Sequence, residues 1–280
     1  MQSRYIDIHA HLNFVAYDAD RDEVVKRASE AGVAVINVGT QIDTSRAAIE
    51  LTEKYDNMWA IVGLHPVHCS KSFHDEQELG PAFANASVGK GGFVSRGEVF
   101  DRVAYKKLLE HPKVVGLGEC GLDYYRLEEG TKEVQKKNFI EQIELANEVK
   151  KPLMLHIRNA YADALQVLKA HAQVPGNLHF FAGTIDEARP FLDLGYTFSF
   201  TGAITFAKNY VEVLKFLPIE NIMSETDCPY VAPVPYRGKR NEPSYVPEIV
   251  KKIAEIKGSD LEETAAALLQ NAARVFKLPL

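Results

Sequence analysis

The stretch Tyr5-Ile6-Asp7-Ile8-His9-Ala10-His11-Leu12 lies close to the amino terminus and determines how the rest of the chain is interpreted. Its apolar residues are typical of a short buried strand, and two histidines two positions apart follow. In extended backbone, side chains i and i+2 point to the same side. His9 and His11 can therefore direct both imidazoles to one point, where a metal ion could bind. The alternative is a pair of surface histidines, because short histidine motifs also occur by chance.

Composition places the chain among ordinary globular proteins. It has 280 residues, of which 46% are hydrophobic and 25% charged, and α/β barrels commonly reach this length as one domain. No apolar run approaches the roughly 20 residues of a membrane span, and no apolar leader precedes the first strand. The net charge of -6 argues against a protein that coats nucleic acid nonspecifically. An enzyme with a local basic patch stays possible.

The cysteines indicate the cellular compartment. Cys69, Cys120 and Cys228 are odd in number, far apart and without CxxC spacing. A disulfide framework is therefore not expected, and the sequence favours a reducing cytoplasm.

Short apolar runs alternate with helical patterns along most of the chain. This alternation predicts right-handed βαβ units and a parallel sheet. The predicted strands are the first stretch above and then Val33–Val38, Met58–Val62, Val114–Gly118, Leu153–Leu155, Asn177–Phe181, Tyr196–Phe200 and Ile222–Ser224. Eight strands without an internal linker predict a single (β/α)8 TIM-type barrel, with residues 1–280 as one domain. The pattern lapses from Cys69 to Asp101, which we interpret as a long loop above the barrel after strand three.

Metal-ligating residue types concentrate where the predicted strands end. Active sites of this fold lie at the carboxyl ends of the strands. His179 falls within predicted strand six. The strand ends carry His9 and His11 (strand one), His65 (three), Glu119 (four), His156 (five) and Asp227 (eight).

These side chains can form one metal centre. Strands one and eight become neighbours when the barrel closes, which brings Asp227 to the first two histidines. Strands five and six supply His156 and His179, and Glu119 can bridge two ions with one carboxylate oxygen each. Neutral imidazoles and ionised carboxylates are the usual ligands of divalent ions, and two adjacent ions can activate a water between them.

Each residue also has an ordinary structural interpretation. His156 could be a hydrogen-bonded core histidine, Glu119 a solvated carboxylate and Asp227 a turn cap. Asp7 faces away from the histidine pair, so we expect it to hydrogen-bond nearby backbone. Four further histidines are expected at the surface, in loops or at helix ends: His68, His74, His111 and His171.

Together these motifs resemble the TatD family of metal-dependent hydrolases, within the amidohydrolase-like barrels. The resemblance covers nearly the whole chain in the family's order. Its matching stretches are Asp7–His11, Gly63–Pro66, Gly118–Tyr125, Pro152–Arg158, His179–Gly183, Phe198–Gly202, Glu225–Tyr230, Arg237–Lys239 and Asn241–Pro243.

The resemblance implies a ligand set and a chemistry. By it, His9, His11, Glu119 and Asp227 would hold one ion, and Glu119, His156 and His179 the other. The family is associated with magnesium-dependent nuclease activity, and zinc also occurs at such sites; manganese is a further candidate. The expected function is that of a deoxyribonuclease or 3'-5' exonuclease that hydrolyses phosphodiester bonds.

Two motifs depart from the family pattern and leave the substrate open. The usual His-Cys-Phe-Ser-Gly is His179-Phe-Phe-Ala-Gly183 here, which loses a thiol and, at Ala182, a hydroxyl. The usual Ser-Arg-Asp after strand five is Ile157-Arg158-Asn159, in which Asn159 replaces a carboxylate.

The residues suggest roles in hydrolysis. Asp227 would be a ligand and the general base, while Glu119 would fix the spacing of the ions. His65 and Arg158 would bind anionic oxygens of the substrate, since a guanidinium suits phosphate. Arg237, with its basic neighbours Lys239 and Arg240, could contact a nucleic-acid backbone or be a solvated loop. Three tyrosines could stack a terminal base or simply pack: Tyr124, Tyr125 and Tyr230.

Three functions compete at this stage. The first is a nuclease acting on DNA or another phosphodiester. The second is an ester or amide hydrolase, for an aminoacyl-tRNA or a small metabolite. The third is a metal-binding protein without catalysis, disfavoured because every ligand and the candidate base are present. In each case we expect a monomer without membrane contact.

Overall fold

Eight parallel strands follow one another in chain order and form one sheet. The structure is a computed structural model that describes residues 3–69, 97–125 and 130–279. The strands are β1 Tyr5–Ala10, β2 Val33–Val38, β3 Met58–Val62, β4 Val114–Asp123, β5 Leu153–Arg158, β6 Gly176–Leu178, β7 Thr197–Phe200 and β8 Ile222–Ser224. Parallel pairing in this order, with helices between the strands, is the (β/α)8 arrangement that the sequence predicts.

The first and last strands meet where β8 ends. The amide of Asp227 donates to the carbonyl of His9 at 2.9 Å, and the amide of His11 donates to the carbonyl of Cys228 at 3.0 Å. An isolated parallel bridge joins Ala10 to Cys228. The barrel therefore closes at the carboxyl ends of its strands, beside the first histidine pair.

Of the described α-helices, seven lie between strands in sequence and two follow β8. They are α1 Arg21–Glu30, α2 Ile42–Lys54, α3 Arg102–Leu109, α4 Thr131–Val149, α5 Tyr161–His171, α6 Ile185–Asp193, α7 Val211–Phe216, α8 Val246–Lys257 and α9 Leu261–Phe276. Among the described helices, none is both long and apolar enough to cross a bilayer. Most of the predicted long loop, residues 70–96, lies outside the described residues.

Two apolar clusters hold the barrel together. One lies between strands and helices, because side chains such as Val35, Leu117 and Leu155 pack there with helix residues such as Phe139. The other joins side chains of β1, β2, β3, β5 and β8. Strands so far apart around a barrel can share a cluster only in its interior. Residues from the end of α9, including Phe276, belong to this interior cluster and cover the barrel at the end opposite the histidines.

Strand β4 departs from regular geometry around Glu119. Its register against β5 shifts between Leu117 and Cys120, and Gly118 and Gly121 have φ of 154° and 144°. A Cβ on Gly121 would lie 2.0 Å from the carbonyl oxygen of His156. Only glycine permits this approach of β4 to β5. The irregularity therefore brings Glu119 close to β5.

The strand boundaries correct the sequence interpretation in four places. Strand β1 runs to Ala10, so His9 lies within it and not after it. Strand β4 continues to Asp123 and β5 to Arg158, because these two residues still pair in register. Glu119 and His156 therefore lie within strands, and not after them. Strand β6 ends at Leu178, so His179 follows the strand. The chain leaves the sheet there because Phe180 adopts a positive φ of 44°.

Candidate metal centre

The first group of ligand atoms joins the ends of β1 and β8. Nε2 of His9 lies 3.2 Å from Nε2 of His11 and 3.2 Å from Oε2 of Glu119. Oδ1 of Asp227 lies 3.8 Å from His9 Nε2 and 3.5 Å from His11 Nε2. Two imidazole nitrogens and two carboxylate oxygens thus face one another, as expected from the two-residue spacing.

The second group surrounds the other oxygen of Glu119. Oε1 lies 2.9 Å from Nδ1 of His156 and 2.8 Å from Nε2 of His179, and these two nitrogens are 3.2 Å apart. The rings of His9 and His179 stack with their centres 3.9 Å apart. The carboxylate of Glu119 therefore lies between two histidine groups, one oxygen toward each.

Hydrogen bonds behind the rings determine which nitrogen is free to bind a metal. Nδ1 of His11 lies 2.9 Å from the carbonyl of Val38. A carbonyl only accepts, so Nδ1 carries the proton and Nε2 presents a lone pair to the centre. Nε2 of His156 likewise lies 2.9 Å from Oδ2 of Asp123, which leaves its Nδ1 as the inward lone pair. Such outer partners orient the histidines of metal sites.

His65 has the opposite arrangement. Its Nδ1 accepts the amide of Val67 at 3.2 Å, so the neutral ring carries its proton on Nε2. That nitrogen lies 3.1 Å from Oε1 of Glu119. Burial lowers the pKa of His65 to about 4, which keeps the ring neutral. His65 is therefore placed as a hydrogen-bond donor at the centre, unlike the histidines with inward lone pairs.

The charges of the centre are strongly perturbed. Burial raises the pKa of Glu119, but the charges of His179, His65 and His9 outweigh burial and bring the pKa well below its ordinary range. Burial lowers the pKa of His9 to about 3. Burial also opposes a charge on His179, yet Glu119 and then Glu225 raise its pKa well above the ordinary value. The centre thus contains an ionised Glu119 carboxylate, a neutral His9 and a His179 ring whose protonated form is favoured.

These residues fit divalent metal ions. Lone pairs and carboxylate oxygens that face one another at these distances repel unless a proton or a metal cation lies between them, and there are more such facing atoms here than one proton on His179 satisfies. Ligand atoms within 4.8 Å of one another form three trios among the described residues: His9–His11–Glu119, His65–Glu119–His156 and His9–His179–Glu225. The donor chemistry matches the nitrogen and oxygen ligands of such ions.

Glu225 is a residue of this region whose role sequence reasoning missed. It is fully buried, and Oε1 accepts the amide of Phe180 at 2.6 Å while lying 3.5 Å from Nδ1 of His179. Its Oε2 accepts the hydroxyl of Ser199 at 2.6 Å. The only signal in the sequence was its place two residues before Asp227.

Asp7 behaves as its predicted orientation requires. It accepts the amide of His9 at 3.2 Å, and the amide and hydroxyl of Thr226 at 2.9 and 2.5 Å. The side chain therefore ties β1 to the segment after β8.

His68 was wrongly expected at the surface, since it is only 3% exposed, and the turn Pro66–His68 folds it toward the barrel.

A cleft of about 850 Å³ lies over the centre. Arg158, Asn159 and Ala182, each singled out in the sequence, line it. The guanidinium of Arg158 lies 3.8 Å from the centre of the Tyr125 ring. Tyr230 also lines the cleft, while Tyr124 instead donates a hydrogen bond of 2.7 Å to Asp163.

The basic segment after β8 contributes less to the cleft than the sequence suggested. Of the described residues, those that line the cleft do not include Arg237, whose guanidinium lies 4.2 Å from the centre of the Phe206 ring. Arg240 pairs with Asp20 at 2.6 Å. Arg237 is therefore available only at the outer surface of this region.

The fold and centre define a class: a barrel hydrolase dependent on metal ions. Comparisons with known proteins agree. The family model described as TatD related DNase matches residues 6–277. An uncharacterized metal-dependent hydrolase of Bacillus subtilis, YabD, is 37% identical over 97% of this chain and 98% of its own. The 3'-5' ssDNA/RNA exonuclease TatD of Salmonella typhimurium is 32% identical, with coverages of 97% and 98%.

A solved structure leads to the same family. The Escherichia coli TatD homologue YjjV superposes with a TM-score of 0.81 at 27% identity, covering all of both chains. The protein belongs to the TatD family of metal-dependent hydrolases. The family resemblance and the barrel expected from the sequence are thus confirmed.

Proposed function

We propose that this protein is a 3'-5' exonuclease that removes nucleotides from accessible ends of single-stranded DNA. The observation that carries the proposal is Glu119 between two groups of histidines, of which His11 and His156 are turned by outer hydrogen-bond partners to present a lone pair inward. A relative identical at 32% of positions is named as a 3'-5' ssDNA/RNA exonuclease. Phosphodiester hydrolysis is one of the reactions that a two-ion centre suits.

The proposed ligands are those of the two groups. His9, His11, Asp227 and one oxygen of Glu119 would hold one ion; His156, His179 and the other oxygen would hold the second. Bound divalent ions would lower the pKa of a water and neutralise charge on the phosphoryl oxygens. The family resemblance favours Mg²⁺, whereas imidazole-rich donor sets suit Zn²⁺ and allow Mn²⁺. Metal content of the purified protein, by mass spectrometry, decides among them.

Side chains of the chain itself would then carry the remaining steps. Asp227 would accept the proton of the attacking water, because its carboxylate borders the first group. His65 would donate a hydrogen bond from its Nε2–H to a phosphoryl oxygen, as its fixed tautomer allows. Arg158, on the cleft wall, would bind the phosphate of the neighbouring nucleotide. Arg237 would contact the strand farther out.

We propose further that residues 1–280 work as one domain and that the protein acts as a monomer in the cytoplasm. Its three cysteines are buried and free, as a reducing compartment permits. The substrate would be DNA or another phosphodiester.

The test is degradation of a 3'-end-labelled and a 5'-end-labelled single-stranded oligonucleotide by purified protein with Mg²⁺, Mn²⁺ or Zn²⁺. We expect metal-dependent shortening from the 3' end, and none by Asp227→Asn. No shortening by metal-loaded wild type would refute the nuclease and favour the ester or amide hydrolase.

A second experiment tests whether His156 is a metal ligand and His65 a hydrogen-bond donor. His65→Ala should keep the wild-type metal content and lose turnover by about 100-fold, as for a lost transition-state donor. His156→Ala should bind less metal. Equal metal loss in both variants would show that His65 is a ligand.

A further inference from the structure

Backbone strain concentrates at the cleft. Among the described residues, the non-glycine positions with positive φ are Lys150, Asn159, Phe180, Asp227, Val231 and Lys277. The two lysines end helices α4 and α9, and the other four residues all line the cleft. Side chains with a Cβ rarely adopt this conformation, and for bulky or β-branched residues it is a genuine outlier. Such outliers persist where the surrounding structure imposes them, commonly at functional sites.

Phe180 is the bulkiest of the four. Its φ is 44°, and its amide is held by the buried carboxylate of Glu225 at 2.6 Å. The next amide, of Phe181, donates to the carbonyl of Ser199 at 3.0 Å. These bonds fix the backbone and direct the phenyl ring to the cleft wall, with its centre 6.5 Å from that of the His179 ring. A phenyl ring does not ligate a metal ion; Phe180 packs partly against the barrel core and also lines the cleft, where it can contact a bound ligand.

The cleft that Phe180 lines has other apolar and aromatic residues. Val231, with φ of 51°, lines the same cleft together with Tyr210 and Tyr230. Phe180 and Val231 are both half-buried, so each keeps part of its surface free. Flat apolar side chains beside a phosphate-hydrolysing centre suit the π-face of a nucleobase, which stacks on aromatic rings with little dependence on sequence.

We propose that Phe180 forms a subsite that stacks the base of the nucleotide whose phosphate lies at the metal centre. The inference deepens the proposed exonuclease function and rests on it for the identity of the ligand. It also assigns a purpose to the phenyl ring at a position where the family commonly has cysteine.

The experiment measures binding, and so does not depend on turnover. Dissociation constants of the metal-loaded protein are determined for deoxyadenosine 5'-monophosphate and for 2-deoxyribose 5-phosphate, which lacks only the base. We expect wild type to bind the nucleotide about tenfold more tightly than the sugar phosphate, a typical effect of one stacked base. Phe180→Ala should lose this ratio, and Phe180→Tyr should retain it.

Leu194→Ala is the matched control, because it truncates a side chain that is 44% exposed at the end of α6, and it should keep the wild-type ratio. Circular dichroism establishes that each variant is folded. If wild type shows no preference for the nucleotide, or if Phe180→Ala retains the preference, the subsite is refuted. A base preference lost in Phe180→Ala, in a protein that does not shorten oligonucleotides, would uphold the subsite and refute only the exonuclease.

Discussion

The same left-handed backbone conformation occurs in two regions of this molecule, for different reasons. At the ends of α4 and α9, Lys150 and Lys277 adopt φ of 56° and 54°, and their amides return to helix carbonyls, Lys150 to those of Ala146 and Asn147. Their side chains are exposed. In the cleft, Asn159, Phe180, Asp227 and Val231 adopt φ between 44° and 55°, and their side chains border the metal centre and its walls.

The left-handed conformation therefore serves the backbone at the helix ends and the placement of side chains in the cleft. A helix end requires the conformation but no particular side chain, and α8 meets the requirement with Gly258, whose φ is 66°. The cleft requires the side chains and tolerates the strain, roughly 1–2 kcal/mol for each residue with a Cβ. Substitution by glycine should therefore cost no stability in either region, but should reduce turnover only in the cleft.

Asp227→Gly should give the largest effect. Glycine adopts the left-handed conformation without penalty, so we expect the free energy of unfolding of the metal-free protein to stay the same or rise. Turnover should fall by about 1,000-fold or more, because the variant lacks both a ligand and the general base. Thermal denaturation and single-turnover cleavage measure the two quantities.

Its control is Asp227→Asn, since asparagine also tolerates this conformation and keeps the side-chain volume. The free energy of unfolding of the two metal-free variants is compared. If Asp227→Gly is markedly less stable than Asp227→Asn, the side chain at position 227 stabilises the backbone itself. The proposed contrast between the regions would then fail at this position.

Glu225→Gln should give an intermediate effect. The carboxylate supports Phe180 through its amide and lies 3.5 Å from Nδ1 of His179, so an amide in its place removes charge from behind that ring. Loss of such an outer partner typically lowers metal affinity by about 10- to 100-fold, and we expect a loss of this size in Glu225→Gln.

Isothermal titration of the metal-free protein with Zn²⁺ or Mn²⁺ measures this affinity. Glu220→Gln, at an exposed carboxylate before β8, is the control and should leave the affinity unchanged. If Glu225→Gln bound both ions as tightly as wild type, Glu225 would be a structural residue only.

Most of the fold could be predicted from the sequence, and so could the convergence of ligand-type residues at one end of the barrel. Apolar runs of strand length alternate with helical patterns, and in a parallel barrel the strand ends necessarily meet. The spacing of His9 and His11 is also a local property. For this reason the sequence could place two imidazoles on one side of the chain before any tertiary contact was known.

What the sequence missed depends on long-range contacts. Nothing local distinguishes Glu225 or Asp123 from solvated carboxylates, because each acts on a histidine that lies far from it along the chain. The burial of His68 depends on a turn folding over the barrel. The positive φ of Phe180 is likewise imposed by Glu225, 45 positions later. Tertiary contacts of this kind override local propensity.

Gly258→Ala tests the helix-end half of the comparison. An added Cβ would meet nothing within 4 Å, so the whole effect is conformational. We expect the free energy of unfolding to fall by about 1 kcal/mol, or about 2 °C in melting temperature for a chain of this size, with unchanged turnover. An equal loss in Gly195→Ala, at another open position with φ of 82°, would support the conformational origin.

Lys150→Gly should give the smallest effect, and in the opposite direction. Its backbone hydrogen bonds match those of Gly258. The amide of Lys150 donates to the carbonyls of Ala146 and Asn147, and the amide of Lys151 also donates to Ala146. Gly258 and the residue after it make the same bonds at the end of α8. Glycine removes the left-handed penalty but gives the unfolded chain more freedom. The net gain in the free energy of unfolding should therefore be about 0.5 kcal/mol. Denaturant unfolding at unchanged m-value measures it, and turnover should not change. A loss of stability would show that the Lys150 side chain contributes contacts beyond its backbone, and the two regions would then differ less than their geometry implies.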